Sequence, residues 1–175
     1  MNAKQNLRTL MILMILGSSI GCDQISKHII RQNISYNEQI NLLNNHLTIT
    51  KIENTGAFLS LGNSLPRPVS VALLIILPLI VLALALIYLF TKSNLSNLMI
   101  LGVCLAIGGG LGNIYDRVIH GSVTDFLYID FGLFHTGILN MADVSVTAGV
   151  CVIVFETYFH QKKVSKLHNP GIIQS

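Results

Sequence analysis

Val69-Ser-Val-Ala-Leu-Leu-Ile-Ile-Leu-Pro-Leu-Ile-Val-Leu-Ala-Leu-Ala-Leu-Ile-Tyr-Leu-Phe90 contains no charged residue. A bilayer hydrocarbon core of about 30 Å is crossed by roughly 20 mostly apolar residues in a helix, so this run reads as a transmembrane helix. Pro78 inside it predicts a kink, which neighbouring helices accommodate. Three further segments have similar character: about Leu7 to Ile25, Leu98 to Ile114 and Ile138 to Phe159. The chain is 51% hydrophobic and only 11% charged, whereas a soluble domain carries about a quarter charged residues. Four segments cannot close a barrel, so helices alone satisfy the backbone in lipid. At 175 residues the chain is too short for two membrane domains, and a single membrane domain over residues 1–175 is expected. The reading is an all-α integral membrane protein with four transmembrane helices.

Orientation follows from Lys and Arg near the helix ends. With both termini inside, the cytoplasmic segments hold Lys4, Arg8, Lys92, Lys162, Lys163 and Lys166. The outer segments hold Lys27, Arg31, Lys51, Arg67 and Arg117, offset by several acids. Both termini are therefore expected in the cytoplasm. The N-terminal Lys4 and Arg8, the apolar Leu10–Leu16 run and Cys22 also have the form of a cleavable signal. The helical pattern continues through Asp23-Gln-Ile-Ser-Lys27, which favours a retained first helix. Cys22, Cys104 and Cys151 are odd in number and lie in or beside apolar runs, so neither a disulfide framework nor a zinc site is expected. The net charge of +3 comes from scattered residues, with no aromatic-interleaved basic patch, so nucleic-acid binding has no support.

Two outer loops remain, about residues 28–68 and 115–137. In the first, Leu47-Thr-Ile-Thr-Lys-Ile52 is rich in β-branched residues and roughly alternates, as a half-buried strand does. Asn44-Asn45 and Asn54-Thr-Gly56 flank it as turn signals, so a small sheet on the outer membrane surface is expected. The second loop is polar and carries Gly121, Gly132 and Gly137. In the third helix, Gly108 and Gly112 form a small-xxx-small step for close helix approach; a dinucleotide fingerprint would need a preceding strand and different spacing.

Polar residues sort to one depth on this topology. Asp23 ends the first helix and Asn113, Asp116 and Arg117 end the third. Asn140 and Asp143 open the fourth, and Asn54 and Asp125 sit in the outer loops. All lie near the outer leaflet. Carboxylates that close to lipid are costly unless paired, hydrated or used. Asp125 and Asp143, 18 positions apart, form a candidate catalytic pair. Two close carboxylates resist simultaneous ionisation, so one polarises a water while the other donates a proton. Asp143 in the first turn of a helix also suits the positive end of its dipole, so a purely structural role stays open. A proton- or cation-coupled transporter is the rival reading, since intramembrane acids mark ion pathways too. Transporter sites, however, lie near the midplane, often at paired repeats, and no repeat is visible. The outer-loop histidines His46, His120 and His135 lack ligand spacing, and Ser122 beside His120 is weak as a nucleophile–base pair.

Five short stretches also carry a resemblance. Asp23-Gln-x-x-Lys27, Asn54-Thr-Gly-Ala57, Gly109-Gly-Leu-Gly-Asn-Ile-Tyr-Asp-Arg117, Val123-Thr-Asp-Phe126 and Asn140-Met-Ala-Asp143 stand in the motif order of the lipoprotein signal peptidases. The chain resembles that family over nearly its whole length. The resemblance implies an intramembrane aspartic endopeptidase of the bacterial inner membrane, working without cofactor or metal. It would cut diacylglyceryl-modified prolipoproteins before the lipidated cysteine, with membrane lipid as its surroundings and a monomer as its working form. Asp125 and Asp143 would be catalytic; Asp23, Asn54, Gly56, Asn113, Asp116, Arg117 and Asn140 would shape the site or hold substrate. The implied fold is four transmembrane helices with a small extracytoplasmic β-cradle, the active site lying near the outer leaflet. Phe58-Leu59 and Leu139 depart from the family's usual residues, which bears on pocket shape and substrate preference.

Overall fold

The computed structural model describes residues 3–36, 38–57 and 65–168, excluding the side chains of Lys4 and 160–168; Phe58 and Leu59 lie outside the described residues. Four helices dominate: α1 (Ala3–Asn33), α2 (Arg67–Thr91), α3 (Asn97–Ile119) and α4 (Met141–His168). Each is long and apolar enough to cross a membrane. Their many exposed apolar side chains, Leu84 and Val154 among them, are what a bundle facing hydrocarbon requires.

Two helices differ from the pattern read off the sequence. α1 does not stop near Ile25 but runs to Asn33, 31 residues in all. At 1.5 Å per residue that is about 46 Å, well beyond the hydrocarbon core. The polar residues that look like a loop, Lys27 and Arg31, follow Asp23 at four-residue steps and so occupy one helical face. In α2, the disturbance due to Pro78 is a π-helical turn over Ala72–Ile76, just before the proline. Proline lacks the N–H for the carbonyl four residues back and its ring crowds that carbonyl; widening the preceding turn relieves both.

The bundle packs through small residues and one apolar core. Ile12, Leu89, Ile100, Val103, Cys104 and Ile107 join α1, α2 and α3. A Cβ on Gly108 would stand 2.6 Å from Ser19 of α1, and one on Gly112 would stand 2.5 Å from Asp23 Oδ2. The small-xxx-small step therefore sets α3 directly against α1. At the other end, the Arg8 guanidinium donates to the carbonyls of Leu89 (2.6 Å) and Lys92 (2.5 Å), closing the C-terminus of α2, whose last carbonyls lack helical partners.

The segments between α1 and α2 and between α3 and α4 form an antiparallel sheet in the order β1 (Gln39–Leu42), β2 (Leu47–Asn54), β3 (Val123–Ile129). Leu43, Asn44 and Asn45 have positive φ in the β1–β2 turn, at the Asn pair that marks a turn in the sequence. β3 is the element the sequence reading missed: the 115–137 segment contains a strand of Val, Thr, Phe, Leu, Tyr and Ile with Asp125 near its start. The pairing shifts register between Ile49 and Ile52. Phe126 anchors the sheet against Ile30 in the last turns of α1 and Ile34 just beyond it. Leu139 then clips onto β3, its N–H bonding Leu127 O and its carbonyl accepting from Phe126 and Leu127, each at 2.8 Å. That clip sets where α4 starts.

Candidate active site

β2 and β3 present two polar faces. Asp125 lies opposite Ile52, and Asn54 lies opposite Val123, so Asn54 and Asp125 are diagonal neighbours on one face. Asn54 Nδ2 donates to Asp125 Oδ2 at 2.9 Å, while Asn54 Oδ1 accepts from Gly56 N at 2.9 Å. On the other face Glu53 pairs with Thr124 and accepts from Thr124 Oγ1 (2.8 Å) and Ser122 Oγ (2.5 Å). Ser122 is thus occupied with Glu53, and His120 with Arg31 (3.1 Å), so the two do not form a nucleophile–base pair.

Asn140 joins the two acids. It precedes the first helical residue of α4 and caps it: Asn140 Oδ1 accepts from Asp143 N (3.0 Å) and Asp143 Oδ2 accepts from Asn140 N (3.2 Å). This reciprocal pattern is an Asn/Asp form of the capping box. Asn140 Nδ2 then reaches across to Asp125 Oδ1 at 2.6 Å. Asn113 Nδ2, from α3, donates to the remaining oxygen, Asp143 Oδ1, at 2.9 Å. Each of the four carboxylate oxygens therefore has one amide donor. The cap role of Asp143 and its place beside Asp125 coexist.

Asn54, Asn113, Arg117, Asp125, Asn140 and Asp143, with Ala57, Val123 and Ile138, enclose a cavity of about 20 Å³. That volume holds one water, for which polar walls supply the partners. Asp125 is 5% exposed. Burial raises its pKa to about 6, and the negative charge of Asp143 pushes the same way; the amide donors Asn54 and Asn140 and the charge of Lys27 oppose the rise. Arg117 Nη2 donates to Gly56 O (2.7 Å) and Nη1 to Asn113 O (3.4 Å), while its buried Nε has no hydrogen-bond partner among the described residues. The guanidinium ties the Asn54–Gly56 segment to α3 and leaves a donor at the site.

Asp23 and Asp116 stand behind this cavity rather than in its wall. Both are fully buried, as is Lys27. Asp23 Oδ1 accepts from Ala142 N at 2.8 Å, so α1 supplies a carboxylate to the positive N-terminus of α4. Lys27 Nζ lies 2.8 Å from Asp23 Oδ2, 3.0 Å from Asp116 Oδ2 and 2.9 Å from Asn113 Oδ1. Gln24 donates to Asp23 (3.0 Å) and Asp116 (3.2 Å), and Arg31 reaches both Asp116 (3.0 Å) and Thr124 (2.7 Å). Lys27 and Arg31, counted as outer-loop charges in the sequence, are thus helical and engaged with the buried acids. The signal that could have found them is their four-residue spacing from Asp23. Among the described residues no group of three or more His, Cys, Asp or Glu converges as metal ligands would.

Known proteins resemble this chain in sequence and in fold. Residues 6–159 match the family model described as signal peptidase (SPase) II. A lipoprotein signal peptidase of Streptococcus pneumoniae is 36% identical over 135 residues, covering 77% of this chain and 84% of that protein. One from Syntrophus aciditrophicus is 29% identical over 157 residues, covering 89% and 97%. A solved bacterial membrane enzyme superposes with a TM-score of 0.76 at 24% identity, covering 94% of this chain and 93% of that one, which shows the shared fold. With a family model spanning most of the sequence and relatives aligned across most of both lengths, the chain belongs to the signal peptidase II family.

Proposed function

We propose that this protein removes signal peptides from lipid-modified prolipoproteins as an aspartic endopeptidase, with Asp125 and Asp143 as its catalytic pair. The family supports peptidase activity on prolipoproteins and gives no support to the transporter reading. The observation that carries the catalytic assignment is the single residue Asn140, which bonds both carboxylates at the wall of a cavity sized for one water. In this reading the Asp143 carboxylate takes a proton from water as its oxygen attacks the scissile carbonyl carbon. Asp125, whose buried carboxyl retains its proton more readily than an ordinary one, gives that proton to the carbonyl oxygen. The tetrahedral intermediate collapses as Asp125 regains a proton from its hydroxyl, the C–N bond breaks, and Asp143 protonates the departing amine. Asn54, Asn113 and Asn140 hold the acids in place, and Arg117 Nε, unpartnered among the described residues, is a donor for a substrate carbonyl. Asp23, Asp116 and Gly56 act from behind.

The chain is proposed to act as one membrane domain over residues 1–175 and as a monomer, with membrane lipid around it. Both termini are placed in the cytoplasm and the dyad at the outer leaflet of a bacterial inner membrane. Support comes from the charges: six basic residues lie on the inner side against five on the outer, of which Lys27, Arg31 and Arg117 are engaged at the site. The deciding experiment is cleavage of a diacylglyceryl-modified prolipoprotein by the purified protein, beside Asp143→Asn and an unlipidated substrate. Cleavage of the lipidated substrate by the unaltered protein alone supports the reading, and full activity of Asp143→Asn refutes the mechanism.

A further inference from the structure

Three asparagine amides face the two carboxylates, and each has its oxygen held by a group that can only donate. The backbone N–H of Gly56 holds Asn54 Oδ1, and the backbone N–H of Asp143 holds Asn140 Oδ1. Asn113 differs: its Oδ1 is held at 2.9 Å by the side-chain ammonium of Lys27. An ammonium has three donors and no acceptor, while an ionised carboxylate only accepts. Between Lys27 and Asp143, Asn113 therefore has one workable orientation, oxygen to Lys27 and Nδ2 to Asp143 Oδ1. Lys27 is itself immobilised, 0% exposed and bound to Asp23 Oδ2 and Asp116 Oδ2.

We infer that Lys27 is a positioning residue for the reaction: by fixing the amide of Asn113 through a charged hydrogen bond, it aims Nδ2 at Asp143 and polarises that bond. The inference rests on the catalytic reading of Asp143 and deepens it. Chains of hydrogen bonds strengthen one another in a low-dielectric interior, so the positive charge of Lys27 reaches Asp143 through one amide. Without Lys27, no other described residue holds Asn113 Oδ1, and the amide is free to turn its donors from Asp143. Lys27 does not line the cavity and bonds neither acid of the pair, so its effect belongs to the chemical step and not to substrate binding.

The test is a double-mutant cycle on detergent-purified full-length protein with a lipidated prolipoprotein substrate, reading kcat and KM separately. Lys27→Met is expected to lower kcat by at least about tenfold with KM changed by less than about twofold. Asn113→Ala is expected to lower kcat as well, and the double variant to be no slower than Asn113→Ala alone, because both act on one bond. Lys27→Met also removes the ammonium that two buried acids share and can fail to fold. A charge-balanced pair, Lys27→Met with Asp23→Asn, compared with Asp23→Asn alone, then carries the test, since the amide introduced in place of Asp23 retains an acceptor for Ala142 N–H and Asp116 retains Arg31. Multiplicative losses in the cycle, a loss confined to KM, or a balanced pair as fast as Asp23→Asn would each overturn the inference. Asp143→Asn run alongside separates the two readings: an active Asp143→Asn defeats the catalytic assignment itself, whereas an inactive one beside a fast Lys27 variant defeats only the role of Lys27.

Discussion

Replacing Asp125 by asparagine is expected to abolish cleavage and, at neutral pH, to leave the folded protein as stable as before or more so. The carboxyl is buried on β3 and titrates at about 6 against an unperturbed 3.8. Because the folded-state value is the higher one, the stability associated with protonated Asp125 is complete below about pH 3.8 and is lost as the pH rises through about 6. The difference of about two pKa units corresponds to about 3 kcal/mol by which the ionised group weakens the fold at about pH 7.5. That figure already includes the bonds from Asn54 and Asn140, which favour the ionised form. The substituted amide stays neutral at every pH. It brings a second hydrogen that meets the donors of Asn54 and Asn140, neither of which can reverse without losing Gly56 N–H or Asp143 N–H; an unmet donor costs about 1–3 kcal/mol. A net gain of about 0–2 kcal/mol at about pH 7.5 is left, or up to roughly 8 °C in Tm for a chain of this size. The assay is thermal unfolding of both proteins in the same detergent at about pH 4 and about pH 7.5, with cleavage measured in parallel. The Tm difference should move in the variant's favour on going to the higher pH. A difference independent of pH, or one moving the other way, would refute the account of a buried, destabilised carboxyl.

The same value predicts that kcat/KM of the unaltered enzyme falls as pH rises through about 6, when Asp125 loses the proton it donates; a profile flat from about pH 5 to 8 would remove Asp125 as the acid. Gly112→Ala puts a Cβ 2.5 Å from Asp23 Oδ2, so the carboxylate that holds Ala142 N–H must move. Loss of about 1–3 kcal/mol of stability and at least about tenfold in kcat is expected, measured by thermal unfolding and cleavage. Asn140→Ala removes the helix cap and a donor to Asp125; it should cost about 1 kcal/mol in stability and far more in rate, and a variant of normal rate would break the link drawn between the two acids. Cys22 lies exposed midway along a continuous α1, so Cys22→Ala should leave the intact mass of the purified chain unchanged apart from the substitution, as read by mass spectrometry.

Span number, helix type and the gathering of polar residues at one end of the bundle follow from the order of residues alone. Apolar runs of bilayer length admit few other folds, and Asp125, Asp143, Asn140 and Asn113 stand in recognisable stretches. The partners of those residues do not. Hydrophobic periodicity records how much a position is buried but not what it meets. Lys27 and Arg31 therefore look like solvent-facing loop charges until α3 brings Asp116 against them. β3 was hidden for a related reason: a lone strand has no internal hydrogen bonds, and Val123–Ile129 becomes one only by pairing with β2, far earlier in the chain. Pro78 announced a disturbance in α2, and the folded chain has it as a π turn over Ala72–Ile76. The tertiary structure alone assigned each carboxylate oxygen its donor. Hydrogen-bond direction depends on where donors from separate segments converge, and only the folded chain sets those positions.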